Sequence, residues 1–359
     1  MALLVLVGAI AIAVILLLAD APSSVAWGVL LAAVPVGPLV GCFMWLDRYE
    51  PEPRSLLVAA LLWGAFAATA GAVVLQLLAA GAGASEELSM ALGAPITEEA
   101  TKGIFLLLLL WWRRAELDGV LDGIVYAGMV GIGFAFTENI LYLSAAHTGA
   151  DEMGLTSGQA LSATFVMRIL ASPFAHPLFT IFTGIGVGLA ISARTRSVRL
   201  VAPVVGYALA VVLHGVWNAS TLYRDGMGFL IAYVGLMFPV FVTMIGFAIY
   251  RRSSERHLLA AAFDDVARRG LIPATDLPWL VDLAARRRAR SWARHAGGDQ
   301  AARAMREYQS AAVELAFLHH RYLRGTAPED FAARGQEHLA EMQLIRPYIS
   351  FPGQVVPLR

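Results

Sequence analysis

Cysteine, lysine and charged residues in general are scarce in this chain of 359 residues. The single cysteine, Cys42, excludes an internal disulfide, a four-cysteine zinc site and an iron-sulfur cluster held by this chain alone. Lys102 is the only lysine in the sequence. Charged residues make up 15% of the chain and apolar residues 58%, whereas soluble globular proteins contain about 25% charged residues. The composition therefore predicts a membrane protein rather than two or three soluble domains.

Long apolar stretches recur through the first 250 residues. A helix of roughly 20 residues is needed to cross about 30 Å of hydrocarbon. Eight stretches of suitable length run approximately over 2–18, 25–46, 55–80, 88–112, 120–143, 161–191, 200–222 and 227–250. They predict an all-α, polytopic transmembrane helical bundle of about eight spans over residues 1–250. The first stretch could instead be a cleaved signal peptide, but it lacks the basic residues that precede the apolar part of such peptides.

Arginines in the short loops predict how the bundle is oriented in the cell membrane, since basic loops stay on the cytoplasmic side. Nine arginines follow the even-numbered spans: Arg48, Arg54, Arg113, Arg114, Arg194, Arg196, Arg199, Arg251 and Arg252. The loops after spans three and five are acidic, with Glu86, Glu87, Asp151 and Glu152, and contain no lysine or arginine. A multi-pass protein of the plasma membrane with both termini in the cytoplasm is expected.

The hydropathy falls sharply at Arg251, and residues 251–359 form the second predicted domain. Apolar residues at helical spacing alternate there with arginines, which predicts a basic cytosolic helical region. The run "ARRRARSWAR" could contact anionic lipid headgroups, although a solvated basic helix face explains it as well. Nucleic acid is not an expected partner of this region; the bilayer is.

Ionisable side chains occur inside several predicted spans, where they are expensive and therefore mark candidate functional sites. Span four carries Glu98, Glu99 and Lys102, span five Glu138 and Asn139, span six His176, and span seven His214 with Asn218. At 1.5 Å of rise per residue, the glutamates and histidines from four spans fall within one slab of the membrane. Neutral imidazoles with a carboxylate can bind zinc and leave a position for water, and a further carboxylate could take a proton from that water. The set is therefore suited to metal-assisted hydrolysis.

Other intramembrane hydrolase chemistries fit the sequence less well. No HExxH motif, no GxSG-type serine motif within a span and no GxGD aspartate motif are present. The aspartates Asp118 and Asp122 lie at the cytosolic mouth of span five, and Cys42 has no histidine in its span. Serine, aspartate and cysteine catalysis are therefore not favoured.

The motifs "DRYEPEP", "EEATK", "FAFTEN", a lone His176 and "HGVWN" occur in this order between residues 40 and 222. In order and membrane placement they resemble the PrsW family of intramembrane proteases, which is similar to the type II CAAX prenyl proteases. The resemblance implies site-1 cleavage of a membrane-anchored anti-sigma factor or a similar single-span protein, on or near its extracytoplasmic side. It also implies that Glu98 and Glu99 are an essential pair and that His176 and His214 are metal ligands, with Zn²⁺ the expected metal.

The motif shapes complete the predicted site. Glu138 stands where the CAAX-type enzymes have a histidine and is interpreted as the third ligand, while Asn218 supports the water. Glu98 or Glu99 is interpreted as the general base. Lys102 and Asn139 are assigned supporting roles.

Several of these residues also have plain structural interpretations. Lys102 could simply pair with a glutamate of its own helix, and Glu138 could neutralise Arg168 of span six. Asn139 could pack or cap. At the level of function, buried carboxylates and histidines also build the proton relays and ion paths of transporters, so proton- or ion-coupled transport is the alternative to proteolysis. A catalytically inactive scaffold is a further possibility.

Overall fold

The computed structural model describes residues 1–19, 21–113, 116–150, 154–223 and 227–353. Helices dominate this part of the chain, and no strand occurs among the described residues. The all-α prediction is confirmed. Arg114, Asp151 and Glu152, which contributed to the predicted orientation, lie outside the described residues.

The chain divides into two compact units. The first comprises Met1–Asp47 and Glu52–Ala248, and the second Arg48–Pro51 and Ile249–Arg359. The second unit thus includes the loop that follows the second predicted span. The assignment of the two predicted domains to the membrane and the cytosol stays a prediction.

Six helices of the described chain are long and apolar enough to cross a membrane. They are Pro22–Leu46, Arg54–Gly81, Val120–Thr148, Ser157–Ser192, Arg196–Ser220 and Met227–Arg268. The other two predicted spans are helical as well. The first is shorter, with its apolar part over Ala2–Leu18, and the fourth carries three charged residues near its middle, Glu98, Glu99 and Lys102. The polytopic bundle is confirmed, with a span count that is approximate.

Several of these spanning helices are built from shorter pieces. The helices are α1 (Ala2–Ala19), α2 (Pro22–Ala32), α3 (Val36–Leu46), α4 (Arg54–Leu62), α5 (Thr69–Gly81), α6 (Glu86–Leu88), α7 (Ala94–Trp112), α8 (Val120–Thr148), α9 (Ser157–Phe165), α10 (Ala175–Ser192), α11 (Arg196–Ser220), α12 (Met227–Ala232) and α13 (Phe238–Arg268). Wider π-helical turns join four pairs of them, at Trp63–Ala68, Ser89–Gly93, Val166–Ala171 and Tyr233–Met237.

Helix α8 lies at the centre of the first unit, with every residue from Val120 to Ala135 buried. It packs against α10, α2 and α4. Glycines permit the close approach: a Cβ on Gly123 would lie 2.1 Å from the carbonyl oxygen of Gly184 on α10, and one on Gly133 1.9 Å from that of Leu61 on α4. Small residues at helix contacts are typical of membrane bundles.

Pro173 interrupts the sixth predicted span. The π-helical turn ends at Ala171, and α10 begins at Ala175, because a proline inside a helix removes a hydrogen bond and clashes with the preceding turn. Pro177 falls within the first turn of α10, where proline is tolerated. The break therefore places His176 at the start of a new helix.

The second unit has its own apolar core, built around Phe263, Tyr308 and Phe351. Its long helices after α13 are α14 (Leu283–Leu323), which kinks at Gly297 and Gly298, and α15 (Phe331–Ile345). Tyr49 belongs to this core, and the buried Arg286 donates from Nη1 to the Tyr49 carbonyl at 3.0 Å. The predicted helical character of the C-terminal region is confirmed.

Candidate functional site

Helix α7 supplies two acidic groups and one basic group to the interior of the first unit. Glu98, Glu99 and Lys102 are all buried there, with exposed fractions of 5%, 0% and 0%. Glu98 and Lys102 are four residues apart and lie on the same helix face. Trp63 fixes the helix by donating from Nε1 to the Thr101 carbonyl at 3.0 Å.

Glu99 is held by donors on both of its oxygens. Its Oε1 accepts from Lys102 Nζ at 2.8 Å and from His214 Nδ1 at 3.0 Å. Its Oε2 accepts from the Thr180 hydroxyl at 3.1 Å. With these three partners and no solvent exposure, Glu99 is suited to orienting its neighbours rather than to binding a metal or a substrate.

Glu98 has a different environment. Its Oε1 accepts from the Gln76 amide at 3.2 Å, whereas its buried Oε2 has no hydrogen-bond partner. Oε2 lies 3.6 Å from Lys102 Nζ and 3.7 Å from His214 Nε2. Buried carboxylate oxygens are normally hydrogen-bonded, so an unpartnered one beside an imidazole nitrogen indicates a position for a ligand.

The two histidines are neighbours, with ring centroids 5.3 Å apart and the rings nearly perpendicular, at 85°. The His214 ring stacks on Phe179 at 4.6 Å, and its Nδ1–H donates to Glu99. His176 accepts at Nδ1 from Lys102 Nζ at 3.1 Å, and its Nε2 lies 2.6 Å from Glu138 Oε2. Lys102 thus connects the glutamate pair to His176.

One atom from each of Glu98, His176 and His214 forms a group in which all lie within 4.8 Å of one another. A carboxylate with two imidazoles is a zinc-type donor set. The free Oε2 of Glu98 fits a metal, and so does the Glu99–His214 hydrogen bond, because a histidine ligand usually donates its other N–H to a carboxylate. These three residues are the donors that could hold a metal here.

Glu138, interpreted from the motif shapes as the third ligand, is not a member of that group. It accepts from Arg168 Nη2 as well as lying against His176 Nε2. Arg168 also donates from Nε to Asn139 Oδ1 at 2.8 Å, and its guanidinium lies 3.8 Å above the Tyr142 ring. Glu138 therefore bridges Arg168 and His176, and its role as a ligand stays a prediction.

Asn218 lies outside the hydrogen-bond network of Glu98 and Glu99. Its amide nitrogen donates to the Met90 carbonyl at 3.2 Å. It does line the same cavity as His176, Asn139 and Arg168, a space of about 370 Å³. Its predicted support of the water is untested.

The "DRYEPEP" motif lies near the start of α8, at the end of the helices opposite to the glutamate pair. Asp47 Oδ2 accepts from the Glu52 backbone N–H at 2.9 Å, and Glu52 accepts from the Tyr126 hydroxyl at 2.6 Å. Burial raises the pKa of the Asp47 carboxyl to about 8, and the charge of Asp122 contributes in the same direction. The motif is thus a buried acidic turn away from the glutamate pair.

Gln76 and Thr180 touch the glutamate pair and were not predicted. Both are neutral, and the sequence argument considered mainly ionisable groups within the spans. Gln76 is the only amide side chain in the stretch 55–80, and Thr180 follows His176 by four residues on one helix face. A search for neutral polar residues within the predicted spans, on the helix faces that carry the ionisable residues, could have found Gln76 and Thr180.

Comparison with known proteins shows which protein family the sequence is similar to. A sequence model described as PrsW family intramembrane metalloprotease matches residues 52–244. "Protease PrsW" of Geobacillus kaustophilus (strain HTA426) is 32% identical over 200 residues, which cover 55% of this chain and 80% of that protein. "Protease PrsW" of Clostridioides difficile (strain 630) is 28% identical over 221 residues, or 59% and 87% of the two chains. No solved structure was found to match the chain. The matched region contains every residue of the cluster around Glu98 and Glu99.

Proposed function

Because this chain belongs to the PrsW family of intramembrane metalloproteases and is a membrane protease, we propose that it hydrolyses a peptide bond of a membrane-anchored protein at the cluster of Glu98, His176 and His214. The observation that carries the proposal is the unpartnered Oε2 of Glu98 facing His214 Nε2. A single-span protein such as an anti-sigma factor, cut on or near its extracytoplasmic side, is the proposed substrate. That substrate class rests on the resemblance of the motifs to the family.

We propose Glu98, His176 and His214 as the ligands of a divalent metal, with Zn²⁺ the best match to their donor atoms. When bound, such a metal supplies Lewis acidity, which polarises a carbonyl and lowers the pKa of water. Glu99 holds His214 in the tautomer that leaves Nε2 free, and Thr180 and Lys102 hold Glu99 in place.

Glu138 is our candidate for the group that takes the proton of the attacking water. To act as a ligand through Nε2, the neutral His176 must hold its proton on Nδ1 instead, with Lys102 Nζ then donating to Glu99. This leaves Glu138 Oε2 without its donor from the imidazole. Its side chain is 14% exposed, and Asn139 and Arg168 beside it line the cavity. The geometry thus favours an exchange of the two roles expected from the sequence, with Glu98 as ligand and Glu138 as proton acceptor.

Arg168 fits this assignment. Its guanidinium donates to Glu138 Oε2 and fixes the carboxylate against His176. Asn139 in turn accepts from Arg168 Nε and restricts its orientation. The proton taken by Glu138 would then be delivered to the leaving amine.

Two isosteric variants separate the roles. The full-length protein, purified and reconstituted in liposomes with a single-span reporter protein, would be assayed for cleavage and for bound metal. We expect Glu98→Gln to lose both metal and cleavage, and Glu138→Gln to retain metal while losing cleavage. Glu87→Gln, an exposed glutamate at the start of α6, is the matched control and should retain both.

The same preparation distinguishes proteolysis from transport. Proton flux across the liposomes that is lost in Glu98→Gln, with no reporter cleavage by the wild type, would refute the proposed function. Full cleavage by metal-free wild-type protein would refute the metal assignment alone.

A further inference from the structure

The cavity next to His176 is formed by segments from several parts of the first unit. Helix α8 contributes Asn139, the π-helical turn Val166–Ala171 contributes Arg168, and the end of α11 contributes Trp217 and Asn218. Phe229 of α12 also lines the cavity. Its volume of about 370 Å³ falls within the range of roughly 300–1,000 Å³ that is typical of ligand pockets.

We propose that this cavity is the specificity subsite of the enzyme and accepts a large apolar, non-basic side chain of the substrate next to the scissile bond. The inference rests on the proposed proteolytic function. It is carried by the continuity of the cavity with His176, which forms part of its wall.

Part of the cavity lining is apolar and adaptable. The Trp217 and Phe229 rings lie 4.6 Å apart between centroids, inclined at 55°, and Met90 and Met167 also line the cavity. Methionine side chains adjust to irregular shapes. A leucine, methionine or phenylalanine side chain would bury its surface against these four residues.

Other lining residues are polar. Arg168, Asn139 and Asn218 are among them, and a peptide backbone within the membrane needs such partners because little water is available there. The positive charge of Arg168 disfavours a lysine or arginine side chain in the cavity. A lipid acyl chain has no polar group to meet this part of the lining, so a peptide segment fits the cavity better.

The test uses a single-span reporter protein with randomised residues at its outer membrane boundary. Cut sites are identified by mass spectrometry after incubation with liposomes that contain the full-length enzyme. The variants are Trp217→Ala and Phe229→Ala, and the matched control is Phe182→Ala, an aromatic truncation in a separate groove between α10 and α11. Glu98→Gln supplies the background.

We expect the wild type to select leucine, methionine or phenylalanine at one position beside the cut and to exclude lysine and arginine. Trp217→Ala and Phe229→Ala should shift that preference toward larger side chains by about 10-fold or more in relative kcat/KM, while Phe182→Ala leaves it unchanged. Cleavage with the same preferences in all variants would overturn the subsite alone. No cleavage by the wild type above the Glu98→Gln background would overturn the proposed function and this inference with it.

A crosslinking measurement covers the case in which the truncated variants are inactive. Thr221 also lines the cavity. Thr221→Cys is combined with Cys42→Ser, which removes the native cysteine, and with Glu98→Gln, so that the enzyme binds the reporter without cutting it. Oxidation should crosslink the cysteine at position 221 to a reporter cysteine placed next to the wild-type cut site. Crosslinks spread evenly along the reporter, or none at all, would contradict the subsite.

Discussion

Glu98 and Glu99 are adjacent in the chain but have opposite hydrogen-bonding environments. Glu99 receives donors from Lys102, His214 and Thr180, whereas one oxygen of Glu98 receives none. Adjacent residues of a helix point about 100° apart, so one sequence motif can place two carboxylates in two environments. A carboxylate with donors on both oxygens is held in place, and one with an oxygen that lacks a hydrogen-bond donor is available to a ligand.

Substituting each glutamate should therefore separate stability from activity. Glu99→Gln leaves the buried Lys102 without its closest anion, and removing one partner of a buried pair costs about 3–5 kcal/mol. Glu98→Gln keeps the oxygen that accepts from Gln76 and should change stability by less. Unfolding of the purified variants in detergent measures both effects, and equal destabilisation by the two substitutions would contradict the division of roles.

The ionisable residues of the site could be predicted from the sequence, but their neutral partners could not. Ionisable groups in apolar stretches stand out because they are costly to place in hydrocarbon and therefore rare there. This signal pointed to Glu98, Glu138, His176 and His214. Gln76 and Thr180 reach Glu98 and Glu99 through contacts between helices distant in the chain, and neutral side chains are common in spans. The pairing of Glu138 with Arg168 was recognised as an alternative; that it coexists with the His176 contact depends on three-dimensional geometry.

At the level of the helices, glycines set the distances between neighbouring spans. Gly64, in the π-helical turn Trp63–Ala68, packs directly on α8, where an added Cβ would lie 1.9 Å from the Val130 carbonyl oxygen. Real Cβ atoms do not approach so closely, so any side chain there must separate the helices. The same helix α8 carries Glu138 to the site.

Gly64→Ala should therefore reduce the yield of folded protein and lower its unfolding temperature. Gly41→Ala is the matched control, because Gly41 also lies in a helix and a Cβ there meets nothing within 4 Å. Alanine favours a helix over glycine by up to about 1 kcal/mol, so this control should be neutral or slightly stabilising. If the two variants unfold at the same temperature, close packing at Gly64 is not needed for stability.

The π-helical turn Val166–Ala171 carries Arg168, and we expect this residue to position Glu138. Arg168→Met should lower kcat by about 10- to 100-fold, the usual effect of removing a partner of a site residue. Arg168→Lys keeps the charge but not the simultaneous contact with Glu138 and Asn139. Its kcat should therefore lie between that of the wild type and that of Arg168→Met. Arg199→Met, at an exposed arginine that donates to the Ala193 carbonyl, is the control.

A purely structural role of Arg168 would give a different result. It would reduce the amount of folded enzyme in proportion to activity, without changing kcat per folded molecule. Measuring kcat and KM alongside the unfolding temperature distinguishes the two. An unchanged kcat in folded Arg168→Met protein would contradict the positioning role.

On the scale of the whole molecule, the helical architecture was predictable because membrane-spanning helices are local features of the sequence. Their internal hydrogen bonds are complete within each segment, so hydropathy suffices to find them. The π-helical turns and the break at Ser172–Phe174 depend on packing between helices, and only the break had a local signal, in Pro173. The inclusion of Arg48–Pro51 in the second unit had no signal in the sequence.

The orientation of the bundle decides which side of the membrane the site faces. At 1.5 Å per residue, Glu138 lies about 15 Å from the end of α8 at Thr148, and His214 about 9 Å from the end of α11 at Ser220. Arg113 lies before the start of α8 and Arg194 before the start of α11, so both are at the ends of these helices opposite to Thr148 and Ser220. Since basic loops stay in the cytoplasm, the site should lie nearer the extracytoplasmic face.

Single-cysteine labelling tests this orientation. In a Cys42→Ser background, Ala84→Cys lies in the exposed turn between α5 and α6, and Ser310→Cys on an exposed position of α14. A membrane-impermeant maleimide should label the first in intact cells and the second only after permeabilisation. The reverse pattern would place the carboxylates and histidines toward the cytoplasm and exclude cleavage near the outer face, because the depth of the site is fixed by the helices that carry it.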